Sequence, residues 1–467
     1  MCRLIHCCVH GNAQPTPHIL REQQAQCLQQ HTGSAPLNTA IYNSGAACIT
    51  AMSENLTQHY VDACQDLNQP VNSFIAEMLS QAEHLQPQNS TLKICGNNRL
   101  VNVKRVTDEN VLALCRVLDK NGFIRDLDLK YNNITDNGAM HIANFLKVNS
   151  SLLSLNLMGN DIGTSGAEHI SKALFDNESL KSLRMTGNKI GNKGGMFFAS
   201  MLQINSTLED LDLGDCDLGI ESLIAFSTVL LQNKSIKAIN LNRPLLYALQ
   251  EDTTIHISKM LKVNSTLQEI HLSKHEMTDF GIERLCEAMH ENVTLKYLDI
   301  SCNKITRDGV KCLAKLLKAN TALEIVDLTS NRMEDDGAMY LAEAIGLYNR
   351  SLKALSIVSN NITGKGLKAL AASLKANDCL MYIYIWGNKL DENACMAFAD
   401  LLYTSRLAPS STDVQPYIVD GRVHLAELSH GLRTHYYWTP SYGSADNKAC
   451  NSTIEVLNNL DDNDTNN

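Results

Sequence analysis

The side chains of this chain that could do chemistry are numerous but not convened. Fifteen histidines and fifteen cysteines are scattered over 467 residues. None falls into the HExxH, GxSxG or GxxxxGK[ST] spacing of hydrolytic or nucleotide sites, and no CxxC pair marks a zinc site. GNKIGNKGG at 187–195 has the glycine content of a phosphate-cradling loop. A column of polar residues is more regular: Asp128, Asn156, Arg184, Asp212, Asn240, His271, Asp299, Asp327, Ser356 and Tyr384, with Asp126 and Asp210 two positions before their partners. Four aspartates against one arginine make that column acidic. Such a surface suits recognition of a basic or mixed-charge polypeptide rather than bond breaking, because opposite charge steers encounter and excludes wrong partners. Tyr382, Tyr384 and Trp386 add rings of the kind enriched in binding hot spots. His271 and His275 are read as structural or solvated, and neither a metal nor a cofactor is expected.

The column is regular because the chain repeats. IRDLDLKYNNI, LLSLNLMGNDI, LKSLRMTGNKI and LEDLDLGDCDL follow one another, and LKYLDISCNKI, LEIVDLTSNRM, LKALSIVSNNI and LMYIYIWGNKL follow a disturbed middle, all on the template L-x-x-L-x-L-x-x-N-x-L with an occasional Ile, Val, Met or Cys in place of a template residue. The anchor position holds Asn132, Asn160, Asn188, Cys216, Pro244, His275, Asn303, Asn331, Asn360 and Asn388, at steps of 28, 28, 28, 28, 31, 28, 28, 29 and 28. Leu127 and Leu129 alternate, so they share one face of a short strand. The anchor amide is placed to bond the backbone of neighbouring turns. Six residues on, a glycine recurs (Gly138, Gly166, Gly194, Gly281, Gly309, Gly337, Gly366), expected to allow a tight turn. Ala139, Ile142, Ala143 and Leu146 then mark one face of a helix.

A second asparagine column (Asn121, Asn149, Asn177, Asn205, Asn233, Asn264, Asn292, Asn320, Asn349, Asn377) closes each helix, where a left-handed asparagine is expected. Several of these sit in N-x-S/T triplets, read as helix ends rather than glycan sites. One strand and one helix cannot bury their own apolar faces; stacked copies can. The predicted fold is therefore an α/β leucine-rich repeat solenoid, a horseshoe with a parallel sheet on the concave face and helices on the convex face. GNKIGNKGG falls on the anchor-and-turn segment common to all repeats, which argues against a phosphate site.

Composition bounds the rest. Forty basic against fifty acidic residues, net −10, argue against a general nucleic-acid binder. No apolar run reaches the roughly 20 residues of a membrane span, and the N-terminus lacks a secretory apolar stretch, so an intracellular protein with reduced thiols is expected. The expected organisation is a disordered segment 1–55, a helical cap 56–90, an array of about eleven repeats over 91–403, a hairpin and aromatic cap over 404–445, with Asp420-Gly421 as the hairpin turn, and a disordered acidic tail 446–467. The 31-residue step places a three-residue insertion within 242–261, open to two readings: a tolerated rim insertion, or a binding loop that changes curvature.

RMTGNKIGNKGGMFF (184–198), LDLGDCDLG (211–219), IKAINLNRP (236–244), YIYIWGNK (382–389), DVQPYIVDGRVHLAE (413–427) and HYYWT (435–439) together resemble a vertebrate family in the ribonuclease-inhibitor-like class of leucine-rich repeat proteins, over roughly residues 57–443. The resemblance implies a non-enzymatic protein of nucleolus and cytoplasm, nucleolar partners such as nucleophosmin and nucleolin, and a part in stem-cell pluripotency and differentiation. The expected function is a protein–protein interaction scaffold, with no direct nucleic-acid or membrane partner. Two alternatives from other classes are a ribonuclease-inhibitor-like clamp on a basic protein and a GTPase-activating repeat protein. The candidate binding residues are Asp126, Asp128, Arg184, Asp210, Asp212, His271, Asp299, Asp327, Tyr382, Tyr384 and Trp386.

Overall fold

The computed structural model describes residues 55–84, 90–98, 102–119, 121–246, 251–319 and 322–428. The expected disordered segment at 1–55, apart from its last residue, the aromatic run at 435–443 and the acidic tail lie outside these residues, as do residues 247–250 within the insertion. Two helices, α1 (Leu56–Asp66) and α2 (Ser73–Glu83), precede β1 (Thr91–Lys93) and α3 (Asp108–Asp119). The regular units then follow: β2 (Asp126–Asp128) and α4 (Asp136–Val148), β3 (Ser154–Asn156) and α5 (Thr164–Leu174), β4 (Ser182–Arg184) and α6 (Gly191–Leu202), β5 (Asp210–Asp212) and α7 (Ile220–Leu230), β6 (Ala238–Asn240) and α8 (Asp252–Val263). After the insertion come β7 (Glu269–His271) and α9 (Asp279–Met289), β8 (Tyr297–Asp299) and α10 (Arg307–Lys318), β9 (Ile325–Asp327) and α11 (Glu334–Glu343), β10 (Ala354–Ser356) and α12 (Gly364–Ala376), and β11 (Tyr382–Tyr384) and α13 (Glu392–Tyr403). A hairpin of β12 (Val414–Val419) and β13 (Arg422–Glu427) ends the described chain.

β1 to β11 form one eleven-stranded parallel sheet in sequence order. Register repeats the sequence period: Asp126 pairs with Ser154 and Ser154 with Ser182, whereas Ala238 pairs with Glu269 across the insertion. The middle residue of each strand, such as Leu127, Leu155 or Leu183, enters a continuous core with the helix face Ala139, Ile142, Ala143 and Leu146. The fold is an α/β leucine-rich repeat solenoid.

Buried asparagines hold the turns. Asn303 is the fullest case: Nδ2 donates to Leu272 O (2.9 Å), Ile300 O (3.0 Å) and Ser301 O (3.1 Å), and Oδ1 accepts from His275 N (3.0 Å) and Met277 N (3.1 Å). Where the anchor is not asparagine the ladder thins. Cys216 keeps one bond, Sγ to Met185 O at 3.1 Å. His275 donates Nε2–H to Leu241 O at 2.9 Å. Burial pushes its imidazole down to about 4, so it stays neutral at physiological pH.

Two expectations about backbone need correction. The second asparagine column does not end helices in the left-handed region: Asn149 has φ −79° and ψ 130°, Asn264 φ −68° and ψ 129°. These residues cap by side chain. Asn177 Oδ1 accepts from Ser179 N and Leu180 N while Nδ2 donates to Leu146 O. A glycan on that nitrogen would destroy the bond, which supports the structural reading of the N-x-S/T triplets. The left-handed residue is instead the one before each anchor, including Tyr131, Asp215, Lys274 and Cys302. The glycine six residues after the anchor lies in the first helical turn. A Cβ on Gly309 would stand 2.5 Å from Asp279 Oδ1 and 2.6 Å from Ile282 Cγ2, so closeness between repeats demands it rather than φ.

That closeness serves a second ladder. Asp279 Oδ1 accepts from Thr306 N (2.7 Å) and Gly309 N (3.1 Å), so a carboxylate in one helix caps the next. Asp136 does the same for Gly163 and Gly166, and Asp335 for Thr363 and Gly366.

The ends are closed by different means. Asp420 and Gly421 both have positive φ, as a two-residue hairpin turn needs. Val414 and Leu425 of the hairpin are buried, and the hairpin packs on α13. Asp413 Oδ1 and Oδ2 accept from Ile385 N (2.9 Å) and Trp386 N (3.0 Å), replacing the strand that the last edge lacks. Arg406 donates to Leu374 O (2.7 Å) and Leu380 O (3.0 Å) and also to Asn377 O, doing the work of a further asparagine.

Candidate functional site

The first and third residues of each strand face the concave side, so the whole polar column lies on one wall. Its aspartates have a local duty the sequence did not reveal. The third strand residue accepts the backbone N–H two positions on, ending the strand. Asp128 does so for Lys130 (3.1 Å), Asn156 for Met158 (3.0 Å), Asp212 for Gly214 (3.0 Å), Asp299 for Ser301 (2.9 Å) and Asp327 for Thr329 (2.8 Å). One oxygen of each carboxylate is thereby committed.

The wall is not evenly solvated, and this corrects the expectation of an exposed column. Asp126, Asp128 and Arg184 are half-buried. Asp210, Asp212, His271, Asp299, Asp327 and Tyr384 are buried, while Tyr382 and Trp386 are intermediate. At the open end Thr91 Oγ1 lies 3.4 Å from Asp126 Oδ2, and Lys130 Nζ lies 3.1 Å from Asp128 Oδ2. Burial raises the Asp126 carboxyl, opposed by Thr91 and Arg125.

His271 is the most constrained group. Its Nε2 lies 2.6 Å from Glu269 Oε1, and its Nδ1 lies 3.1 Å from Asp299 Oδ2. Tyr297 presents its ring edge-on at 5.0 Å. Burial alone would push the imidazole down, but the bonds and charges of Asp299 and Glu269 override it and raise it to about 10. Asp299 is held below the carboxylate range by His271 against its own burial. His271 is thus a fixed cation joining β7 to β8, with both nitrogens engaged; it is not poised to take a proton at neutral pH. Sequence reasoning treated His271 alone. The signal was present in Glu269, two residues earlier on the same strand face, and in Asp299, its partner 28 residues on.

Asp210 is the unfavourable member. Burial lifts its carboxyl to about 6, opposed by Arg184 and reinforced by Glu269 and Asp212, and Ser182 Oγ donates to it at 3.0 Å. A raised carboxylate binds protons more tightly folded than unfolded, so its ionisation weakens the fold as pH rises from about 4 to about 6. Asp210→Asn keeps an acceptor for Ser182 and removes the charge. It is expected to stabilise the protein by about 1–3 kcal/mol at pH 7, with little change at pH 4, measured by urea unfolding.

Other candidate chemistry resolves into scaffolding. In the 187–195 loop Asn188 Nδ2 donates to Leu157 O and Met185 O. Among the described residues no group of three or more His, Cys, Asp or Glu could hold a metal, and no helix is long and apolar enough to cross a membrane. The nine described cysteines are free thiols, and burial lifts Cys115 to about 12.

Comparison with known proteins now adds to the geometry. A leucine-rich repeat profile matches residues 205–227, 263–286, 291–314, 319–342 and 348–371, and the TMOD/LMOD leucine-rich domain profile matches 81–213. Human leucine-rich repeat-containing protein 34 is 57% identical over 406 residues, covering 86% of this chain and 88% of that protein. The chain belongs to this family. The rat protein of the same name is 54% identical over 208 residues, covering 44% of this chain and 50% of that protein. Among solved structures, one described as leiomodin-1 actin-binding site 2 is 28% identical, covers 30% of this chain and 79% of its own, and gives a TM-score of 0.27. The yeast Rad7–Elc1 complex gives 14% identity, 74% and 91% coverage and a TM-score of 0.39. Leucine-rich repeat families are in general protein-binding scaffolds without catalysis, presenting an extended concave surface; this family shares that repeat architecture.

Proposed function

We propose that the protein is a non-catalytic scaffold that holds a partner polypeptide on its concave wall, and that β1–β4 make the first contact. The observation that carries this reading is the accessible, mixed-charge patch there. Asp126 and Asp128 are partly exposed on β2, with Lys93 opposite Asp128 on β1, Lys130 paired to Asp128 and Arg184 two strands away on β4. A segment of mixed charge, with basic groups set to meet Asp126 and Asp128 and acidic ones to meet the three cations, complements it. The family resemblance extends the proposal to nucleolar partners, nucleophosmin and nucleolin, to residence in nucleolus and cytoplasm, and to regulation of stem-cell pluripotency and differentiation.

The test is binding of purified nucleophosmin and nucleolin to wild type and to Asp126→Ala/Asp128→Ala. The expected result is affinity lower by about tenfold, chiefly through slower association, with a weaker dependence on salt. Unchanged affinity and salt dependence would remove the patch from the account.

A further inference from the structure

The two edges of the sheet are not tied equally along the array. On the edge where strands begin, the second asparagine column joins each repeat of the disturbed middle to the one before it. Asn205 Nδ2 donates to Leu174 O (2.7 Å), Asn233 Nδ2 to Leu202 O (2.9 Å), Asn264 Nδ2 to Leu230 O (2.6 Å) and Asn292 Nδ2 to Leu261 O (2.7 Å). On the edge where strands end, the anchor makes the join. Asn160 does so twice: Nδ2 donates to Leu129 O (3.0 Å) and Oδ1 accepts from Ile134 N (3.1 Å). Asn188 repeats both bonds, to Leu157 O (2.9 Å) and from Ile162 N (3.0 Å). The next three anchors fall short. Cys216 keeps only the donor bond, to Met185 O. His275 keeps the donor bond to Leu241 O, and its Nδ1 is buried without a partner. Pro244, between them, has no polar side-chain atom.

The join between β5 and β6 is therefore the weakest on that edge. The next one, β6 to β7, has a substitute, since Asn242 Oδ1 accepts from Ser273 N (2.6 Å). Across β5–β6 the side-chain link among the described residues is Arg243 Nη1 to Asp215 Oδ2 (2.7 Å), an exposed ion pair of little strength. The helix layer thins at the same place. Asn192 Oδ1 of α6 accepts from Ser222 N of α7 (3.0 Å), and Asp279 of α9 caps α10, but no side chain caps α8. The strand-end edge of this join is left to backbone bonds: Asp215 N donates to Asn242 O (2.8 Å) and Leu245 N to Leu218 O (2.8 Å).

We propose that the β5–β6 join is a hinge. The blocks β1–β5 and β6–β11 pivot about the edge held by Asn233 and Asn264 and part at the edge of Cys216 and Pro244. Neighbour-only contact between repeats lets one weak join flex while the blocks on either side keep their shape. The hinge divides the inner wall, with Asp126 and Asp128 on one block and Glu269, His271 and Asp299 on the other. A partner that touches both blocks fixes the angle between them. The hinge itself needs no partner; only that last consequence rests on the binding function proposed above.

The experiment is hydrogen exchange of the full chain without partner, read residue by residue by mass spectrometry and corrected for intrinsic rates. Cys302 N and Arg332 N make the equivalent backbone bonds, to Thr329 O and Ile305 O, where the anchors are asparagine. Asp215 and Leu245 are expected to exchange faster than these two by about tenfold or more, through local opening. Lys237 N, bonded to Glu209 O (2.7 Å) on the pivot edge of the same join, is expected to stay as slow as its counterpart Glu324 N, bonded to Lys296 O (2.8 Å). Pro244→Asn supplies a donor and an acceptor at the anchor, and is expected to slow Asp215 and Leu245 by about tenfold while leaving Lys237 unchanged. Three outcomes overturn the proposal. Asp215 and Leu245 as slow as Cys302 and Arg332 would show an evenly joined array. Lys237 as fast as Asp215 would show a join that frays on both edges instead of pivoting. A folded Pro244→Asn with unchanged exchange would take the cause away from the anchor. The wild-type comparison decides even where the variant fails to fold. None of these outcomes bears on the Asp126/Asp128 binding test, so failure of the one proposal is distinct from failure of the other.

Discussion

Glu269→Ala is expected to destabilise the protein by about 3–5 kcal/mol, the range found when one partner of a buried ion pair is removed. The variant removes the carboxylate 2.6 Å from Nε2 of an enclosed imidazolium and leaves Asp299 beside Nδ1. Asp299→Ala removes both the Nδ1 partner and the acceptor for Ser301 N, so it falls at the upper end. Replacing all three by apolar residues of similar volume, as Glu269→Leu/His271→Met/Asp299→Leu, is expected to cost far less. Desolvating three charged groups offsets most of what their attraction returns.

The same group sets a pH dependence. His271 is raised from its usual value near 6.5 to about 10, so the folded state binds the proton more tightly. Its contribution is complete below about pH 6.5 and is lost as pH rises through about 10. Urea midpoints of wild type are therefore expected to fall between pH 7 and 10, and His271→Leu is expected to flatten that slope. A wild-type slope that survives His271→Leu would assign the dependence to another group.

Asn303→Ala is the second large effect. Five hydrogen bonds are lost at once; Ile300 O keeps Asn331 Nδ2 and Ser301 O keeps Lys274 N, while Leu272 O, His275 N and Met277 N lose the bond that Asn303 supplied, and each buried group left unsatisfied costs about 1–3 kcal/mol where water does not replace the bond. A loss above about 3 kcal/mol is expected. Asn303→Cys is expected to lie between, because Cys216 shows that a thiol at this position retains one bond to the preceding turn. Repeats contact only their neighbours, so damage at the β7–β8 junction also lets the two halves of the array unfold separately. Urea unfolding of Asn303→Ala should then show a lower midpoint and a reduced m-value.

The 28-residue period contained the strand order and register, because each strand pairs with its copy one period away; the insertion step reappears as Ala238 opposite Glu269. The 29-residue step was visible but its location was not. The extra residue sits between Gly337 and Asn349, where Asn349 N bonds Ala344 O in a π-helical turn over Ala344–Tyr348. A helix absorbs one residue without any change of pattern. The left-handed position before each anchor was equally hidden, since Tyr131, Lys274 and Cys302 share no residue type. In the candidate site, the column of Asp126, Asp128, Asp212, Asp299 and Asp327 was legible, but its meaning was divided. Aspartate ends a strand by accepting a backbone N–H and also presents charge to a partner, and one sequence cannot separate the two duties.

The central claim is that partners meet the inner wall. A photo-crosslinking amino acid placed at Asn156 on β3, and in a second protein at the exposed Lys172 on the helix of the same repeat, compares the two faces directly. Each full-length protein is irradiated with the proteins that bind it in cell extract, and adducts are quantified. The account predicts adducts from position 156, several-fold above those from position 172. Equal or greater capture from position 172, with binding intact, would contradict it.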